Sequence, residues 1–195
     1  MTSDRHTDLL LAAAHDCVMD VGLKRTTLAD VARRAGVSRM TVYRQWGDLE
    51  AIVSALLTSE LVALVQECGA AVQALPTARE RLVEAGVRTV EQLVHHPLYR
   101  RVLDLDPELL LPLVVDRFGS TQRAVIALVA EQVAQGQRDG SVREGDPGLL
   151  ATCLLLTAQS FVFSARVVES DHKADAVGAE LRLLLDGYLR PGAAT

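Results

Sequence analysis

Asparagine is absent from this 195-residue chain, lysine occurs only at Lys24 and Lys173, and three Phe, three Tyr and Trp46 are its only aromatics. So few aromatics, with no strong period-2 stretch, favour aliphatic helix packing over a β-sandwich or barrel, whose strands draw on aromatic and β-branched residues. Three cysteines, Cys17, Cys68 and Cys153, stand far apart among apolar neighbours. They offer no disulfide framework and are expected to be small buried hydrophobes. Met1 to Asp8 is polar where a leader would be basic and then apolar, so a cytoplasmic protein is expected.

Catalytic motifs are missing too. The chain has no GxGxxG, P-loop, GxSxG or HExxH. His95 and His96 are adjacent, about 100° apart on a helix, and no Cys or acid completes a metal site by spacing. Asp104 and Asp106, beside Pro107, fit loop and cap positions. Neither a metal nor a cofactor is expected, and an enzyme would lack its nucleophile and base.

Apolar residues make up 49% of the chain against 23% charged, enough for a sizeable aliphatic core. Leu10, Ala13, Ala14, Cys17 and Val18 follow helical spacing up to Gly22. Thr27 and Asp30 form a capping box for a short helix that ends at Gly36. Ser38 caps a third helix, closed by Gly47, and Asp48 caps a long fourth one with a stripe from Ile52 to Cys68. A second capping box, Thr77 and Glu80, opens a helix running towards Pro97.

Pro97, Pro107 and Pro112 cut the next stretch into short pieces. A helix is expected from Asp116 to about Gln135, then a loop marked by Gly136, Gly140 and Gly145. Asp146-Pro147 starts a helix to about Glu169, and a last one runs from about His172 to Leu189. The sum is an all-α chain of nine helices. Residues 147–165 carry no charge, but Thr152, Thr157, Gln159, Ser160 and Ser164 break their apolarity. They predict a helix buried from more than one side rather than a membrane span.

The net charge of −5 hides a local reversal. Between Lys24 and Gly47 six basic residues face the single acid Asp30, a footprint suited to nucleic acid. There a short helix, the turn Gly36-Val37-Ser38 and a second short helix make a helix-turn-helix. Its second helix offers Arg39, Met40, Thr41, Arg44 and Gln45 on the outside, with Val42 and Trp46 inside. Arg suits guanine, Gln suits adenine, and Met or Thr suits the thymine methyl. Tyr43 is expected to pack its ring and point its hydroxyl at a phosphate.

The run T-T-L-A-D-V-A-R-R-A-G-V-S-R-M-T-V-Y-R-Q-W-G-D-L-E-A-I, Thr26 to Ile52, resembles the DNA-binding signature of the tetracycline-repressor (TetR) family. Trp46 stands where that family usually has phenylalanine, and Leu49 where it often has lysine. The resemblance implies an all-helical homodimer with a helix-turn-helix domain over 1–47 and a ligand-binding and dimerisation domain over 48–195. It implies a transcription regulator that binds double-stranded DNA at an inverted repeat. The expected form is a repressor released by a small apolar or amphipathic effector, in a bacterial cytoplasm and with no membrane partner. An activator, a corepressor-dependent regulator and a ligand-binding protein with weak DNA binding are the alternatives.

The DNA-contacting set is expected to be Arg25, Thr26, Thr27, Ser38, Arg39, Met40, Thr41, Tyr43, Arg44 and Gln45. A ligand pocket is expected among Leu61, Leu64, Val90, Tyr99, Leu103, Phe118, Gln122, Gln159 and Phe163. A dimer interface is expected through Leu154, Ala158, Phe161, Leu181, Leu184 and Leu185, on the last two helices.

Overall fold

The computed structural model describes residues 2–105 and 119–192, and every regular element among them is helical. The α-helices are α1 (Thr2–Val21), α2 (Leu28–Arg34), α3 (Arg39–Trp46), α4 (Leu49–Ala71), α5 (Ala78–His95), α6 (Pro97–Leu105), α7 (Ser120–Arg138), α8 (Pro147–Asp171) and α9 (Ala174–Leu189), with a 3-10 turn at Leu23–Arg25. The caps expected from sequence are in place. The Asp30 amide donates to Thr27 Oγ1 at 3.2 Å, Thr41 to Ser38 Oγ at 3.1 Å, Ala51 to Asp48 Oδ1 at 2.8 Å and Leu149 to Asp146 Oδ1 at 2.7 Å. The Thr77–Glu80 box closes both ways: the Thr77 amide donates to Glu80 Oε2 and the Glu80 amide to Thr77 Oγ1.

The chain divides into two compact units, one of residues 1–60 and 96–121, the other of residues 61–95 and 122–195. In the first, α1 packs on α2 and α6, and α2 on α3. Leu10, Ala14, Val18, Val31, Val42, Ile52 and Leu98 are its deepest side chains, so the stripe on each helix meets in one core. In the second, α5 lies against α8 and α9, around Val83, Val87, Val133, Leu150, Leu181, Leu185 and Leu189. Arg79 of α5 pairs with Asp186 of α9 there, and Arg182 of α9 donates to Glu84 of α5 at 2.9 Å.

Some expectations need revision. α7 continues through Gly136 to Arg138 instead of ending near Gln135. Gly136 is where the loop folds back: the Val142 amide donates to its carbonyl at 2.9 Å, and a Cβ on Gly136 would overlap the Val142 side chain. Cys17 and Cys68 are buried, whereas Cys153 is only half-buried. It shares a face of α8 with Leu149 and Leu156, four residues before it and three after. α8 is not enclosed by its own chain either, since Leu149, Leu156, Phe163 and Val167 are exposed. By length and composition alone, α4 and α8 pass for membrane spans. Asp106, Pro107, Pro112, the helix start at Asp116 and Phe118 lie outside the described residues.

Candidate nucleic-acid interface

Three short connections shape the interface. α2 ends in a Schellman turn: the Val37 amide donates to the Ala32 carbonyl at 3.0 Å and the Gly36 amide to Arg33 at 3.3 Å. Gly36 sits at φ +68°, which a side chain would resist. Val37 packs against the core at this crease, and Ser38 starts α3 with Oγ 2.8 Å from Thr41 Oγ1. Gly47, at φ +76°, turns the chain into α4.

α3 is amphipathic in a way that suits a groove. Val42 is fully buried and Trp46 packs on the core, while Met40 is 75% and Tyr43 49% exposed. Arg39, Arg44 and Gln45 are exposed as well. Among the described residues Arg39 and Arg44 carry no ion pair, in contrast to the arginines of α2. Arg33 donates to Asp30 at 2.8 Å and Arg34 to Asp20 of α1 at 2.5 Å. The Thr27 hydroxyl, supported by Arg33, holds the Asp30 carboxyl below its ordinary value, so it stays ionised and keeps Arg33 occupied. Free guanidinium groups are therefore concentrated on α3.

The remaining expected contacts are placed unevenly. Thr27 and Ser38 are exposed caps. Arg25 is exposed, with its Nε donating to the Val21 carbonyl at 2.9 Å. Thr26 is only 3% exposed and its hydroxyl donates to the Gly22 carbonyl at 2.8 Å, so it fixes the 3-10 turn and presents nothing outward. Thr41 is half-buried. Leu49, in place of a basic residue, packs partly buried against the core of the first unit, which explains why an apolar side chain is used there. Sequence reasoning missed Thr7 of α1, whose Oγ1 accepts from Gln45 Nε2 at 2.9 Å, and Asp20. Both partners are distant in sequence, and no local spacing signals them.

The expected pocket residues that are described are divided between the two units. Tyr99 and Leu103 belong to the first unit, where the Tyr99 hydroxyl donates to the Leu57 carbonyl at 2.7 Å. Leu61, Leu64, Val90 and Gln122 are buried, Gln159 is half-buried, and Phe163 is 40% exposed on α8. The second unit has two adjoining concavities. One is a cleft of about 60 Å³ between α5, α8 and α9, which Val90 and Phe161 help to line. The other is a surface groove of about 480 Å³ at His95 and residues 169–174. Of the expected dimer residues, Leu154, Leu181 and Leu185 are already covered by their own chain. Ala158 and Phe161 are half-buried, and Leu184 is exposed.

A glycine-turned pair of short helices, with unpaired arginines on the exposed face of the second, defines a helix-turn-helix DNA-binding protein. Residues 10–56 match the family model of bacterial regulatory proteins of the tetR family. An uncharacterized HTH-type transcriptional regulator of Mycobacterium tuberculosis is 41% identical over 180 residues, 92% of each chain. Among solved structures, the transcriptional repressor QsdR of R. erythropolis aligns with a TM-score of 0.73 at 18% identity, over 98% of this chain and 99% of that one. FadR of Bacillus subtilis, in complex with stearoyl-CoA, aligns with a TM-score of 0.63 at 16% identity, over 93% and 98%. The chain belongs to the TetR family and is a transcriptional regulator with helix-turn-helix DNA binding.

Proposed function

We propose that this regulator is a repressor that binds an inverted-repeat operator as a homodimer and leaves it when a small apolar or amphipathic ligand binds. Residues 1–47 carry DNA recognition, residues 48–195 ligand binding and dimerisation. The carrying observation is the exposed face of α3, where Arg39, Met40, Tyr43 and Arg44 stand free of other structural work. Arg39 and Arg44 read bases, Tyr43 and the cap hydroxyls of Thr27 and Ser38 meet phosphate, and Arg25 adds charge beside them.

Dimerisation draws support from the exposed apolar face of α8 and α9. Leu149, Leu156 and Phe163 recur every seven residues, with Val167 next to them and Leu183 and Leu184 exposed on α9. Such a face is costly to leave in water and favours a two-fold contact with a second copy. Ligand binding is assigned to the interior of the second unit around Leu61, Leu64, Val90, Gln122 and Gln159. Gln122 is one of two polar residues that are buried among those described, and a side-chain amide is the kind of group that orients a ligand in a mostly apolar site. The stearoyl-CoA held by the similarly folded FadR makes long-chain acyl-CoAs the first compounds to try.

Operator DNA is first selected from sheared genomic DNA, then titrated with protein in the presence and absence of stearoyl-CoA and shorter acyl-CoAs. A cognate ligand weakens operator affinity by about 5–150-fold, and operator weakens ligand affinity by the same factor. Ligand binding that is unaffected by operator makes the compound a bystander, and tighter DNA binding makes the protein corepressor-dependent.

A further inference from the structure

Gln45 is exposed on α3, yet its amide is not idle: Nε2 donates to Thr7 Oγ1 on α1 at 2.9 Å, across 38 residues of sequence. With Val42 and Trp46 turned inward, helical geometry places Gln45 on a flank of α3 rather than at its crest. Met40 and Arg44 occupy the crest, and Thr41 shares the flank of Gln45 one turn earlier. The bond to Thr7 therefore ties a polar flank residue of α3 to α1. A glutamine has three side-chain torsions to order, and ordering them at the moment of DNA binding would weaken discrimination.

We infer that Thr7 is a positioning residue for sequence recognition: its hydroxyl holds the Gln45 amide, so that the remaining N–H and the carbonyl oxygen form one fixed donor–acceptor edge towards DNA. That edge matches adenine, which offers N7 as acceptor and N6–H as donor in the major groove. Thr7 itself touches no base. This rests on the DNA-binding reading of α3 given above and goes beyond it by linking a base preference to a residue of α1.

The test is a double-mutant cycle on the full-length protein. Wild type first selects its consensus from a random duplex library. Affinities are then measured for that consensus and for every single-base-pair variant, with wild type, Thr7→Val, Thr7→Ser, Gln45→Ala and Thr7→Val/Gln45→Ala. Thr7→Val should flatten the preference by about two- to tenfold, the net worth of one neutral hydrogen bond, at the same base pairs that Gln45→Ala flattens. Thr7→Ser keeps the hydroxyl and the preference, and Thr7→Val adds nothing once Gln45 is alanine.

An unchanged preference in Thr7→Val, an equal loss on all sequences, or the same loss in the Gln45→Ala background overturns the inference. Should Thr7→Val fail to fold by circular dichroism, Thr7→Ala takes its place in the cycle under the same criteria. A wild type that selects no consensus refutes the DNA-binding reading itself, and this inference falls with it. That outcome differs visibly from a consensus that Thr7→Val reads as well as wild type does.

Discussion

The hydroxyl of Tyr99 on α6 donates to the main-chain carbonyl of Leu57 on α4 at 2.7 Å. Burial, with a smaller push from the Glu60 charge, raises the phenol above its ordinary value, so it stays protonated and donates at all physiological pH. A carbonyl inside a helix already accepts from its own helix, and the phenol supplies a second bond that joins α6 to α4. Tyr99→Phe keeps the ring and removes only that bond. It should lower stability by about 1 kcal/mol and Tm by about 2–4 °C, measured by thermal melting followed by circular dichroism. An unchanged melt would show that the bond adds nothing to stability.

The free guanidinium groups of α3 lead to a second expectation. Arg39→Ala and Arg44→Ala should each weaken operator binding by about 1–3 kcal/mol and relax the preference at one base pair, read by anisotropy titration against operator variants. Arg33→Ala is the internal comparison, because Asp30 already occupies its side chain at 2.8 Å. It should change operator affinity by less than about 1 kcal/mol.

Two leucines two positions apart on α8 separate surface from core. Leu156 is 48% exposed and Leu154 is 9% exposed. Leu156→Arg should yield a folded monomer in sedimentation velocity and lose cooperative binding to an inverted repeat. Leu154→Arg should instead lose its cooperative thermal transition, because an unpaired charge is forced into the core of the second unit. Leu156→Arg sedimenting as wild type would move the dimer contact elsewhere.

Glycines make a similar contrast. A Cβ on Gly136 would overlap Val142, while Gly187, inside α9, has nothing within 4 Å. Gly136→Ala should cost about 1–3 kcal/mol through overpacking, and Gly187→Ala should add up to about 1 kcal/mol of helix propensity. Urea midpoints of the two variants decide the matter, and equal midpoints would contradict the packing at Val142.

Most of the fold was legible because its signals are local. Thr27, Ser38, Asp48, Thr77 and Asp146 each announce a helix start within four residues, and each caps its helix through its own side chain, Asp48 and Asp146 by single carboxylate bonds. The exposed face of α3 followed from Val42 and Trp46 at helical spacing. What stayed hidden depends on pairs far apart in the chain. Nothing near Thr26 shows that its hydroxyl will turn inward, or that Gln45 will meet Thr7. For the same reason the sequence alone does not tell that Leu154, Leu181 and Leu185 are covered within their own chain. An apolar stripe looks alike whether its own chain or a second copy covers it, and here α5 is the cover.

Footprinting on DNA selected from genomic fragments tests most directly whether two copies of α3 read a symmetric operator. Wild type should protect a dyad-symmetric site with half-site centres one helical turn apart, about 34–36 Å, or a little further, and Arg44→Ala should lose both halves together. Protection without dyad symmetry, or equal retention of all genomic fragments, would contradict a dimeric sequence-specific regulator.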